Sequence, residues 1–170
     1  MIFFHIPKTG GQSVAKALRE HAPEIVQLAG HEQARCVADV FDLTDSFAFI
    51  REPIERTISL WRYFHTEVSW EEFHWRFVNT RRPQCDEPVR YAPQWVYVCD
   101  SDGNQLVPNL YRFCDLQRGL DWQMGRHIPL THENPSKRTE YPNVTHLQRE
   151  QMMRKLERDY ILYNSTEVYK

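Results

Sequence analysis

No stretch of this sequence reaches the roughly 20 consecutive apolar residues that a membrane-crossing helix needs. The first apolar run, Ile2 to Ile6, is closed by Pro7 and Lys8. It is too short for the apolar region of a secretion signal, and the charge follows it instead of preceding it. The expectation is a cytoplasmic chain without a transmembrane segment. Charge of one sign is also missing: 21 Lys and Arg stand against 23 Asp and Glu, a formal charge of -2. With no global basic field, a nucleic-acid partner is not expected, and any anionic ligand must be gripped by local geometry. Cysteine is sparse and dispersed. Cys36, Cys85, Cys99 and Cys114 form no C-x-x-C pair, so neither a zinc site nor a redox dithiol is indicated and reduced thiols are expected. Internal repeats, low-complexity tracts and linkers are absent as well. The length of 170 residues, with 41% hydrophobic and 26% charged residues, suits one folded domain spanning 1–170 around one core.

What is present alternates between two periods. Ile2 to Ile6 is a nearly continuous apolar run of the kind buried on both faces of a parallel sheet. Val14, Ala15, Ala17 and Leu18 then recur at helical spacing. Phe47 to Ile50 reads as a second buried strand, and Pro53 suits the first position of the helix that carries Ile54, Ile58, Trp61 and Phe64 or His65 inward. Ser69-Trp-Glu-Glu72 is a capping box that opens a helix with Trp70, Phe73 and Phe77 on one face. Leu110 to Phe113 reads as a further strand, and Thr145 to Gln148 caps a closing helix through Leu147, Met152, Leu156 and Tyr160. This order predicts an α/β domain of three layers, P-loop-like, with a mainly parallel central sheet.

The segment joining the first strand to the first helix is Pro7-Lys-Thr-Gly-Gly-Gln-Ser13. A helix start offers outward N–H groups and the positive end of a dipole, and glycines let a ligand approach the backbone. Lys8 adds a full charge, while Thr9 and Ser13 add hydroxyls. In the nucleotide triphosphate loop the Lys follows the glycines. Here Lys8 precedes Gly10 and Gly11, which disfavours a triphosphate hydrolase. After the second strand, Arg51-Glu-Pro-Ile-Glu-Arg56-Thr-Ile-Ser59 puts a guanidinium at the strand end and a hydroxyl about two turns into the next helix. Ligands of open α/β sheets sit beyond the C-terminal strand ends, so Arg51 and Lys8 can face one crevice. Arg suits a bidentate grip on a phosphate, with Ser59 as a lateral donor. The bland alternative makes Arg51 and Arg56 surface ion-pair partners of Glu52 and Glu55.

Together, His5 to Ser13 and Phe47 to Ser59 resemble the two signature segments of the Golgi-type carbohydrate sulfotransferases, the heparan sulfate 2-O-sulfotransferase-like group and its short bacterial relatives. Gln94 with Tyr97 and Val98, Tyr111 to Phe113 with Leu116, and His132 to Ser136 with Lys137 and Arg138 are similar to the family's later segments. Gln12 stands where family loops usually carry Thr, and Cys114 replaces the usual acidic residue after Arg-Phe. The resemblance implies the donor 3′-phosphoadenosine 5′-phosphosulfate (PAPS), the product 3′-phosphoadenosine 5′-phosphate (PAP), no metal, and a hydroxyl acceptor, most naturally of a carbohydrate. By that likeness Lys8, Thr9, Gly10, Gly11, Gln12 and Ser13 bind the 5′-phosphosulfate, Arg51 and Ser59 bind the 3′-phosphate, and Ser136 and Arg138 lie over the nucleotide.

Sulfo transfer needs fixed donors for the charge that develops on the leaving phosphate oxygen, a role assigned to Lys8. It also needs a base for the acceptor proton, worth about 10² to 10⁴ in rate. His31 follows Gly30 where the next strand can end on the same side of the sheet, and the family places a catalytic His in this position. His5 and His132 are the other candidates. Glu52 is expected to serve the helix dipole. The competing functions are a kinase-like nucleotide-dependent phosphotransferase and a non-catalytic nucleotide-binding module.

Overall fold

The computed structural model describes residues 1–28, 30–79, 91–131 and 140–166. Four strands form one parallel sheet in the order β2-β1-β3-β4: β1 is Ile2–Phe4, β2 Val26–Gln27, β3 Ser46–Ile50 and β4 Asn109–Arg112. Phe3 lies opposite Phe47, and Ala48 opposite Leu110. The two-residue alternation of each strand divides its side chains between two cores. Ile2, Phe4, Ala48, Ile50 and Leu110 point to one face, where α2 (Ala34–Val37), α5 (Trp95–Val98) and α8 (Glu157–Ser165) contribute Ala34, Tyr97, Val98 and Leu162. Phe3, Phe47, Phe49 and Tyr111 point to the other, where α1 (Gly11–His21) and α6 (Leu116–Met124) contribute Val14, Leu18 and Leu120. Both faces of the sheet are therefore covered by helices, as a buried parallel sheet requires. A third cluster joins α3 (Pro53–Phe64), α4 (Trp70–Asn79) and α7 (His146–Lys155) through Ile54, Ile58, Trp61, Trp70, Phe73 and Met152.

Local chemistry sets the helix starts that matter for the site. Pro53 opens α3, and Glu52 accepts the Glu55 N–H at 2.7 Å as its cap, the dipole role expected of it. Ser69 Oγ accepts the Glu72 N–H at 3.2 Å at the start of α4. Thr145 and Gln148 form a full capping box on α7.

The structure corrects three sequence expectations. The first strand ends at Phe4. The closing helix is two helices that meet at Leu156, and Leu147, expected to point inward, is 62% exposed. Among the described residues the free cysteines are Cys36, Cys99 and Cys114, and no helix is long and apolar enough to cross a membrane.

Candidate functional site

From the end of β1 to Gly11 the backbone turns sharply. Lys8 has φ 66° and Gly10 φ 81°. The left-handed state is natural for glycine but costs a lysine about 1 kcal/mol, so neighbouring groups must hold it. Thr9 Oγ1 donates to the Ile6 carbonyl at 2.9 Å, and Arg56 Nε donates to the Pro7 carbonyl at 2.9 Å. Space dictates the two glycines. A Cβ on Gly11 would fall 1.9 Å from His5 Cδ2, and one on Gly10 2.8 Å from Leu116 Cδ2 and 2.9 Å from Phe113 Cε2. Gly10 caps α1 without a side-chain hydrogen bond, and no acidic residue stands in its first turn. The positive end of α1 is thereby presented to the loop.

Arg51 follows β3 directly. Its N–H donates to Gln94 Oε1 and its carbonyl accepts from Gln94 Nε2, both at 2.8 Å. Its guanidinium lies 4.6 Å from the centre of the Phe113 ring and 3.8 Å from the Glu55 carboxylate. Phe113, at the end of β4, thus packs against both Gly10 and Arg51. The Lys8 ammonium sits 3.7 Å over the Tyr63 ring. Burial, then the charges of Arg51 and Arg62, push Lys8 down to about 8. Burial likewise lowers Arg51, against the pull of Glu55, although a guanidinium stays charged at any physiological pH. Lys8, Arg51 and Arg62 therefore share one electrostatic neighbourhood.

Strand order explains why. From β1 the chain crosses to β2 through α1 on one face, whereas from β3 it reaches β4 through α5 on the other. The connections part between β1 and β3, the switch point where open α/β sheets leave a crevice beyond their C-terminal ends. Lys8 and Arg51 flank that point.

His31 follows β2 and the left-handed Gly30. Its Nδ1 lies 2.9 Å from the His5 carbonyl. A carbonyl only accepts, so Nδ1 carries the proton and Nε2 of neutral His31 keeps its lone pair. The His5 ring packs edge-on to His31, with ring centres 4.6 Å apart. Burial and the neighbouring His31 push His5 down to about 4, so His5 is neutral. Its backbone carbonyl, rather than its ring, makes the hydrogen bond to His31.

The other predicted residues occupy distinct settings. Gln12 is exposed. Ser13 and Ser59 are buried on α1 and α3. Thr9, expected to add a hydroxyl donor, turns that hydroxyl to Ile6, which leaves its backbone as what it offers a ligand. Ser136, Arg138 and His132 lie outside the described residues. The alternative that made Arg56 a surface partner of glutamate fails: the residue is 2% exposed, because its side chain runs inward to the loop. Arg51 does pair with Glu55. Sequence reasoning missed Arg62, Tyr63 and Phe113 at the site. The first two lie one turn beyond Ser59 on α3, and that spacing was a usable signal. Phe113 arrives by strand pairing, which no local pattern reveals.

Comparison of the chain with protein-family models, with curated proteins and with solved structures finds no match. The described residues contain no group of His, Cys, Asp and Glu arranged to hold a metal ion. What they do present, beyond the C-terminal ends of β1 and β3, is the start of α1, the Lys8 ammonium and the Arg51 guanidinium, with His31 tied to the backbone of β1's end through the His5 carbonyl.

Proposed function

We propose that this protein is a P-loop-like sulfotransferase that moves a sulfo group from PAPS to an acceptor hydroxyl, most naturally of a carbohydrate. The observation that carries the proposal is the placement of the Lys8 loop and Arg51 on either side of the β1/β3 switch point, both against Phe113. One ligand with anionic groups at both ends matches it better than two separate anions. The glycine cradle and the bare start of α1 fit the phosphosulfate end. Arg51, fixed by Gln94 and stacked on Phe113, fits the 3′-phosphate end with Ser59.

In the proposed reaction the acceptor oxygen attacks sulfur in line. The new S–O bond forms while the S–O bond to the donor's 5′-phosphate breaks, and the electron pair of that bond stays on the phosphate oxygen. Lys8 Nζ and the α1 N–H groups meet the charge that develops there. The acceptor proton passes to His31 Nε2, whose partner nitrogen is held by the His5 carbonyl. Lys8 must be protonated for its part, so activity falls as pH rises through about 8.

A thermal-shift titration tests the donor assignment. At a hundredfold excess over Kd, PAP raises Tm by about 5 °C or more, and ATP with magnesium raises it less. Stabilisation by ATP with magnesium and none by PAP reverses the assignment in favour of a phosphotransferase. With labelled donor and a panel of saccharide acceptors, His31→Ala keeps PAP affinity and loses about 10² to 10⁴ in turnover. Full turnover in that variant removes His31 from the mechanism.

A further inference from the structure

The helix α3 meets the Lys8 segment at two points. Near its start, Arg56 Nε holds the Pro7 carbonyl at 2.9 Å, immediately before Lys8. Near its end, Tyr63 lies under the tip of the Lys8 side chain, with Nζ 3.7 Å from the centre of the ring. We propose that Tyr63 is the positioning residue of Lys8: its ring face keeps the ammonium charged and in place without neutralising it, so that the full charge meets an anionic ligand.

The ring is itself held. Ile54, Ile58 and Trp61 bury the inward stripe of α3 in a cluster with α4 and α7, which fixes the helix. Tyr63 stands off that stripe and is half-buried. Phe64 packs edge-on against it with ring centres 4.7 Å apart, and Tyr91 lies against Phe64 at 5.9 Å. A rigid ring thus supplies a fixed partner for a long, flexible stem.

The chemistry of the contact explains why a ring stands there. A carboxylate would hold the ammonium but cancel its charge and repel an incoming anion. The quadrupole of a ring attracts the cation and leaves its charge whole. Arg51 shows the other arrangement, with the Glu55 carboxylate at 3.8 Å. The neighbouring charges that act on Lys8, those of Arg51 and Arg62, are both positive and join burial in opposing its protonation. Tyr63 works against all three. The proposal rests on the sulfotransferase reading only for the reaction that the ammonium serves.

NMR of the ligand-free chain tests the contact itself. Protons of the Lys8 ε-methylene, held over a ring face, resonate upfield of those of the other lysines in wild type and in Tyr63→Phe, and lose that displacement in Tyr63→Leu. Followed through the same signals, Lys8 ionises about one pH unit lower in Tyr63→Leu than in wild type, and Tyr63→Phe titrates as wild type does. If Tyr63→Leu does not fold, trifluorophenylalanine in place of Tyr63 keeps the shape of the ring and weakens its negative face. Lys8 then ionises lower than in Tyr63→Phe, a change that a merely space-filling ring would not produce. An ordinary Lys8 methylene shift in wild type, or an unchanged Lys8 titration in the leucine and fluorinated variants, overturns the proposal. PAP titration adds the functional arm. At pH 8, Tyr63→Leu binds about fivefold more weakly than wild type, as a one-unit displacement of Lys8 requires, and the gap narrows at pH 6, where the ammonium is protonated in both. A loss of equal size at both pH values also overturns it. A wild-type chain that binds no PAP refutes the sulfotransferase reading, while the NMR result still decides the contact.

Discussion

The segments that follow β1 and β3 do similar work by opposite means. The β1 loop is shaped mainly from within: two glycines, a left-handed Lys8 and the Thr9 to Ile6 hydrogen bond, with Arg56 added from α3 at the Pro7 carbonyl. The β3 segment is shaped from outside. Arg51 is held by Gln94, 43 residues away, and stacks on Phe113 from a third strand. A backbone cradle needs residues that permit an unusual path, and these are short-range choices. A guanidinium aimed at one point needs partners that limit a long, flexible side chain, and only tertiary contacts supply them.

That contrast sets the size of each perturbation. Gly11→Ala strikes the self-shaped segment where nothing can yield, because the His5 ring that it meets is itself packed against His31. The expected loss is about 2–3 kcal/mol of stability, as for an overpacked core, with PAP binding lost in the fraction that folds. Denaturant titration alongside calorimetry checks both; a variant as stable and as tight as wild type breaks the description of the cradle.

A smaller effect is expected from Lys8. Its ionisation lies near 8 in the folded chain, against 10.5 for an ordinary lysine. The ammonium is needed for anion binding, so PAP affinity falls as pH rises through about 8. The bare fold responds with the opposite sign: the unfolded chain binds the extra proton between about 8 and 10.5, so stability rises with pH across that window. In Lys8→Arg the charge persists and the affinity falls far less from pH 7 to 9. An identical fall in that variant assigns the titration to another group.

His5 yields the smallest change. Its folded value near 4 lies below the ordinary 6.5. The unfolded chain therefore protonates first on acidification, and stability contributed by neutral His5 is lost as pH drops from about 6.5 towards 4. Measuring Tm against pH for His5→Phe shows a flatter acid limb; a limb as steep as wild type places the acid sensitivity elsewhere.

The same contrast explains how much the sequence disclosed. The α/β class, the parallel sheet and the helix starts at Pro53 and Thr145 rest on periodicity and capping chemistry, and both are short-range. The Lys8 loop was legible because Gly10-Gly11 between a strand and a helix has few other uses. Arg56 was not, because its burial depends on Pro7, 49 residues away. Gln94 stood out only as part of a family-like segment, and its clamp on Arg51 was hidden because the two lie 43 residues apart. The break at Leu156 escaped notice because Met152, Leu156 and Tyr160 keep helical spacing across it. Trp61, Trp70 and Phe73, expected on inward helix faces, are buried.

The measurement that tests the central claim most directly is a double-mutant cycle on PAP affinity with Lys8→Ala and Arg51→Ala. If the β1 loop and Arg51 grip one molecule, wild type binds one PAP per chain. Each single variant then loses about tenfold or more, and the two losses are coupled, summing to something other than the loss in the double variant. Two PAP sites per chain, or a loss confined to one of the two variants, contradicts it.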